Sequence, residues 1–206
     1  WCTSSNPFDP LHDEPYAAAF ATKTNMEAAG FVEGYSWWTF SDLFEENYLS
    51  SVPFHGGFGL LNNHGIAKPV YRAYQLLHGL GFEQLPVAGS HTTVDVWVVR
   101  GDGKVTVLAA NSALPRHPIA IEEVRVSLSQ AAPPTTATIA RIDDEHANAK
   151  HTWLAMGAPE YLSDQRVQAL HAASELVNRP QPCDFADGVI ELAFTLPEQG
   201  VAAKAA

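Results

Sequence analysis

The sequence predicts an α/β unit followed by an antiparallel β-sandwich. The apolar period changes from the helical value to two near residue 82, and 14 Gly and 14 Pro divide the chain into short elements. With 46% hydrophobic and 17% charged residues over 206 positions, the chain is globular and can bury a sizeable core. The expected division is an α/β part over 1–81 and a sandwich with a helical insertion over 82–206.

Residues 1–14 read as a loop, because Asn6-Pro7 and Asp9-Pro10 are turn pairs. Pro15 suits the first turn of a helix, with Asp13 or Glu14 near its positive end. Tyr16, Ala19, Phe20 and Met26 follow at helical spacing until Gly30 stops the run. The aromatic stretch VEGYSWWTF reads as a strand buried on both sides. A long loop over 41–68 has the length that compact domains keep for a functional reason. Pro69 then opens a second helix, with Val70, Tyr74 and Leu77 on one face and Gly79 and Gly81 at its end. A lone parallel strand lacks neighbours at its edges. A further strand is therefore expected upstream of Trp1. Without it the unit is expected to expose core faces and to self-associate as a homo-oligomer.

Beyond residue 82, TTVDVWVVRGDGKVTVLAANSA reads as a hairpin turning at Gly-Asp-Gly. PIAIEEVRVSLS, TTATIARID and DGVIELAFTLP alternate in the same way and read as strands. Two helices are expected between them, over 148–156 and 163–175. The Ala-rich tail VAAKAA reads as a segment that frays.

A formal net charge of −11 argues against a nucleic-acid partner. No 18-residue apolar run is present, so no membrane-spanning helix is expected. Cys2 and Cys183 read as free thiols, with a bridge between them left open. They lean to the cytoplasm, with the periplasm kept open. The nine His residues lack metal-ligand spacing, and no nucleotide- or cofactor-binding motif occurs, so no metal and no cofactor are expected.

Chemistry gathers in WWTFSDLFEE. Alternation along a strand turns Trp38 and Phe40 to one side and Trp37 to the other. An exposed Trp suits the apolar face of a sugar ring, and carboxylates such as Asp42, Glu45 and Glu46 suit its hydroxyls. Adjacent Glu45 and Glu46 diverge, so they fit substrate binding better than a catalytic pair flanking one bond. In PFHGGFG, His55 can donate to a hydroxyl, and Gly56-Gly57 permits unusual backbone angles. From these residues alone, an aromatic core strand with a solvated acidic turn stays open.

WCTSSNPFDPLHDEPY, GYSWWTFSDLFEE, PFHGGFGLLNNHGIAKPVYRAYQLLHGLG and DDEHANAKHTWLAMGAPEYLS together resemble the C-terminal part of bacterial β-xylosidases of glycoside hydrolase family 39. The resemblance implies that 1–81 are the last βα elements of a (β/α)8 TIM barrel, followed by the β-sandwich. It implies retaining cleavage of β-xylosides and xylo-oligosaccharides through a covalent glycosyl-enzyme. It places the nucleophile Glu immediately before Trp1 and the acid/base Glu further upstream, so no catalytic residue is expected in this chain. By the same resemblance Trp38 lines the glycone subsite, Glu45 and Glu46 bind hydroxyls, and Phe54 and His55 border the pocket. Ser4-Ser5 stands where an aromatic is common in relatives, which touches the aglycone side. The chain alone is then expected to be inactive and to need the missing N-terminal barrel segment. Two rival readings are a non-catalytic carbohydrate-binding or interaction module, and an α-L-iduronidase-like glycosidase. An iduronate site would call for an Arg or Lys near Trp38, and the neighbouring sequence offers none.

Overall fold

The computed structural model describes residues 3–44, 49–129, 131–134 and 136–206. The first element is a 3-10 turn, η1 (Pro10–Asp13), inside the stretch expected to be loop. Pro10 presets its first angle, and the Asp9 carboxylate accepts from the Leu11 N–H at 3.0 Å. Helix α1 (Pro15–Ala28) and helix α2 (Pro69–His78) follow, each with proline in the first turn.

Among the described residues the sandwich has nine strands. They are β1 (Glu83–Leu85), β2 (Val94–Gly101), β3 (Lys104–Asn111), β4 (Glu122–Leu128), β5 (Thr138–Ile142), β6 (Arg179–Pro180), β7 (Asp184–Ala186), β8 (Val189–Leu196) and β9 (Val201–Ala205). Helices α3 (Ala149–Ala155) and α4 (Asp164–Ala173) form the insertion between β5 and β6. One antiparallel sheet runs β1-β2-β3-β9-β5-β6, and the other runs β4-β8-β7. The β2–β3 hairpin closes on Asp102-Gly103, both at positive φ, a turn whose twist matches the strands.

The sheets meet face to face over two apolar clusters. One holds Ala109, Val124, Ile139, Phe194, Leu196 and Ala202; the other holds Val98, Val107, Ile190 and Leu192. The opposite face of the six-stranded sheet packs on α1 and α2, through Trp97, Leu108, Ala110, Val201 and Ala203 against Ala18, Ala19 and Ala73. Alanine is what permits this. Ala17, Ala18, Ala19 and Ala21 are all fully buried, so α1 meets the sheet on one side and Val70 of α2 on the other.

Two expectations are corrected. The tail VAAKAA does not fray: β9 is an interior strand, hydrogen-bonded to β3 and β5, with Val201, Ala202 and Ala203 buried. Its small side chains fit between the helices, on the side of Val201 and Ala203, and the second sheet, on the side of Ala202, a property that its alanine content disguises. The aromatic stretch over 32–40 is not a doubly buried strand. Beyond a bridge from Val32 to Ala29, its backbone pairs with 58–61, and Phe31, Val32, Trp38 and Phe40 are exposed. Such a strand needs partners on both edges and cover on both faces. The described residues supply one edge over part of its length.

The insertion packs on the long loop. Trp153 and Leu170 join Phe54 and Ile66 in one cluster, and Lys150 pairs with Glu14 while reaching the Pro10 carbonyl. Ser51 donates to Glu160. Among the described residues no helix is long and apolar enough to cross a membrane.

Candidate active site

The alternation expected of the aromatic run holds in space. Trp37 turns inward, packs on Tyr74 and donates its indole N–H to the Phe58 carbonyl at 2.8 Å. Trp38 is 47% exposed and Phe40 68% exposed, so together they form a ledge. The Trp38-Thr39 peptide bond is cis. Phe44 meets the Trp38 ring edge-on at 5.4 Å. Behind the ledge, Thr39 N–H donates to Phe58 O (3.0 Å), Leu60 N–H to Thr39 O (2.9 Å) and Leu61 N–H to Phe40 O (3.1 Å). The ledge and the PFHGGFG loop are thereby tied into one unit.

Under that unit lies a buried charge cluster. The Lys68 ammonium sits 2.6 Å from Asp13 Oδ1 and 2.7 Å from Asp42 Oδ2, all three side chains being fully buried. It also donates to Asp42 Oδ1 and to the Gly57 carbonyl, each at 2.9 Å. Both carboxylates hold the glycine run as well. Asp13 Oδ2 accepts from Gly56 N–H at 2.7 Å, and Asp42 Oδ1 accepts from Gly59 N–H at 2.8 Å. His12 Nδ1–H donates to the Gly56 carbonyl at 2.8 Å.

Glycine is required here by space. Gly56 has φ +82°, and a Cβ on it would stand 2.6 Å from Asp9 O. A Cβ on Gly57 would stand 2.4 Å from Asp42 Oδ1.

Burial raises the Asp42 carboxyl above its ordinary pKa; the Lys68 ammonium opposes the rise and the neighbouring Asp13 adds to it. Burial alone would depress the Lys68 ammonium, but Asp13 and Asp42 outweigh it and hold its pKa above the usual lysine value.

Asp42 is thus an interior ligand of Lys68, and its side chain is closed to a sugar. Phe54 is 5% exposed and packs against Trp153, ring centroids 5.5 Å apart and tilted, so its side chain lies in the core under the loop. His55 is partly exposed, donates Nδ1–H to the Val52 carbonyl at 2.9 Å and faces the Phe8 ring at 6.3 Å. Glu45, Glu46, Trp1 and Cys2 lie outside the described residues. Cys183 is free. Among the described residues no group of three His, Cys, Asp or Glu side chains could hold a metal ion.

Sequence reasoning passed over Lys68 and His12, and read Asp13 only as a partner for the start of α1. One signal was available: Lys68 occupies the N-cap of α2, where Ser, Thr, Asp or Asn is favoured and a cation opposes the helix dipole. A lysine there needs anionic partners.

Trp38 and Phe40 thus stand exposed on a segment hydrogen-bonded to the glycine loop. The sequence profile of glycosyl hydrolases family 39 matches residues 1–189, and the chain belongs to this family. It is 42% identical over 179 residues to a β-xylosidase of Caldicellulosiruptor saccharolyticus, covering 85% of this chain and 37% of that protein. It is 31% identical over 199 residues to a β-xylosidase of Geobacillus stearothermophilus, covering 97% of this chain and 38% of that one. The crystal structure of the GH39 enzyme from Xanthomonas axonopodis pv. citri superposes with a TM-score of 0.82 at 26% identity, covering 100% of this chain and 43% of that one. The chain therefore spans less than half the length of these relatives. Its fold class is α/β plus β: the last βα elements of a (β/α)8 barrel, followed by an antiparallel sandwich.

Proposed function

We propose that this chain forms the substrate-holding wall of a retaining β-xylosidase that releases xylose from β-xylosides and xylo-oligosaccharides. The observation that carries this is Trp38: a half-exposed indole on a ledge hydrogen-bonded to the glycine loop, on a chain of this family. The apolar face of xylose stacks on Trp38, and Glu45 and Glu46 take its hydroxyls. His55 borders the pocket, and Phe54 supports it from below. Residues 1–81 belong to the barrel and 82–206 to the sandwich.

The chemistry is double displacement. A carboxylate attacks the anomeric carbon while a carboxylic acid protonates the leaving oxygen, and water then releases the sugar. Both carboxylates are assigned to polypeptide outside these 206 residues, the nucleophile next to Trp1. The 206-residue chain alone is inactive in this reading. An aryl β-xyloside assay on the full-length polypeptide and on this chain tests it. Turnover by the full-length protein alone is expected; turnover by the isolated chain, or none by either, overturns it. Trp38→Ala in the full-length protein is expected to raise KM roughly tenfold, the equivalent of about 1.4 kcal/mol of lost ring contact.

A further inference from the structure

Lys68 joins three pieces of chain: η1 through Asp13, the segment two residues beyond the ledge through Asp42, and the glycine loop through the Gly57 carbonyl. Each carboxylate spends an oxygen on a loop amide, Gly56 or Gly59. The packing leaves no slack, since a Cβ on Gly59 would stand 2.4 Å from Asp42 N. Buried ion clusters stabilise poorly beside apolar packing of equal volume. What this one supplies is direction: an ammonium with four short contacts fixes where each arm can lie.

We propose that Lys68, Asp13 and Asp42 are positioning residues that set the Trp38/Phe40 ledge against the His55 loop, and so set the affinity of the sugar site. The triad touches no substrate and acts through Trp38. This rests on the reading of Trp38 as the sugar-stacking ring. A ledge that contacts the sugar equally before and during reaction contributes uniform binding, so its displacement appears in KM rather than kcat.

The test uses the full-length polypeptide labelled with 5-fluorotryptophan, the Trp38 resonance being assigned with Trp38→Phe. Asp42→Asn keeps size and removes charge. Asp13→Asn, further from the ledge, loads the same ammonium and serves if the first variant does not fold. Val107→Ala, in the sandwich core, is the control for lost stability. Asp42→Asn and Asp13→Asn are expected to raise the KM for an aryl β-xyloside and the Ki for xylose by roughly tenfold, with kcat within about twofold. The Trp38 resonance is expected to move in both, while those of Trp97 and Trp153 stay. Val107→Ala is expected to lower Tm and leave KM, Ki and the Trp38 resonance unchanged. A lower Tm in the two Asp variants with unchanged KM, Ki and Trp38 resonance overturns the proposal. A wild-type protein that neither cleaves the xyloside nor binds xylose overturns the functional reading instead. The Trp38 resonance then decides the triad by itself: movement supports its positioning role, and immobility overturns it.

Discussion

Lys68 and Lys204 are both fully buried, in opposite surroundings. Lys68, in the α/β part, lies between two carboxylates, which hold its pKa above the ordinary lysine value. Lys204 lies between the two sheets of the sandwich and donates to the Pro182 carbonyl at 3.0 Å. Burial pushes its pKa down; Cys183 and Asp184 pull it up, and Arg141 adds to the fall. The difference separates two uses of burial. Around the ledge, buried polarity orients loops that have little regular structure. In the sandwich, ladders and apolar faces already orient the strands, and a buried amine is a burden.

The largest expected effect is Lys68→Met, which strands two buried carboxylates and is expected to cost about 3–5 kcal/mol in denaturant unfolding. Leu108→Ala is the sandwich counterpart, removing a fully buried side chain that faces α1, at about 2–5 kcal/mol. If Leu108→Ala proves much the costlier, the contrast between charge-built and apolar-built regions is wrong. Asp9→Ala removes the η1 cap and the acceptor of the Ser4 hydroxyl, at about 1 kcal/mol. Burial works to raise the Asp9 carboxyl, but the bonds from Ser4 and Leu11 prevail and depress it. Its contribution is therefore present above the ordinary carboxyl value of 3.8 and is lost as pH falls through the lower folded value, so the Asp9→Ala deficit narrows in acid.

Lys204→Met is expected to change stability least, by under about 1 kcal/mol, because relief of a poorly paired ammonium offsets the lost hydrogen bond. Alkaline titration sharpens the comparison, since the two lysines carry opposite signs. Lys68 contributes fully below the ordinary lysine value of 10.5, and that contribution is lost as pH rises through its higher folded pKa. Lys204 costs stability below its depressed folded pKa, and the cost is relieved as pH rises toward 10.5. Unfolding curves of the wild type and both Met variants between about pH 8 and 11.5 would show one gap closing and the other shifting the opposite way.

The two regions also differ in how far they were legible. The β2–β3 hairpin, β4, β5 and β8 were readable because alternation and turn residues are local signals, and the helices because Pro15 and Pro69 mark their first turns. At the ledge, local alternation sorted Trp37 inward from Trp38 and Phe40 outward. The acidic cluster was not sorted. Asp42 and its neighbours look alike in sequence, and what takes Asp42 inside is an ammonium 26 positions away.

By itself, then, the sequence determined the sites of the two helices that open on proline, the hairpin with its turn, the inward and outward faces of the aromatic run, and a resemblance specific enough to point to family 39. Only the tertiary structure decided that VAAKAA is an interior strand, that Phe54 supports the loop from the core, and that Lys68 gathers Asp13 and Asp42 beneath the ledge. The physical reason is range. Turn chemistry, capping and periodicity act within a few residues. The partner that completes a ladder or neutralises a buried charge is chosen by the fold, and a short window of residues carries no record of it.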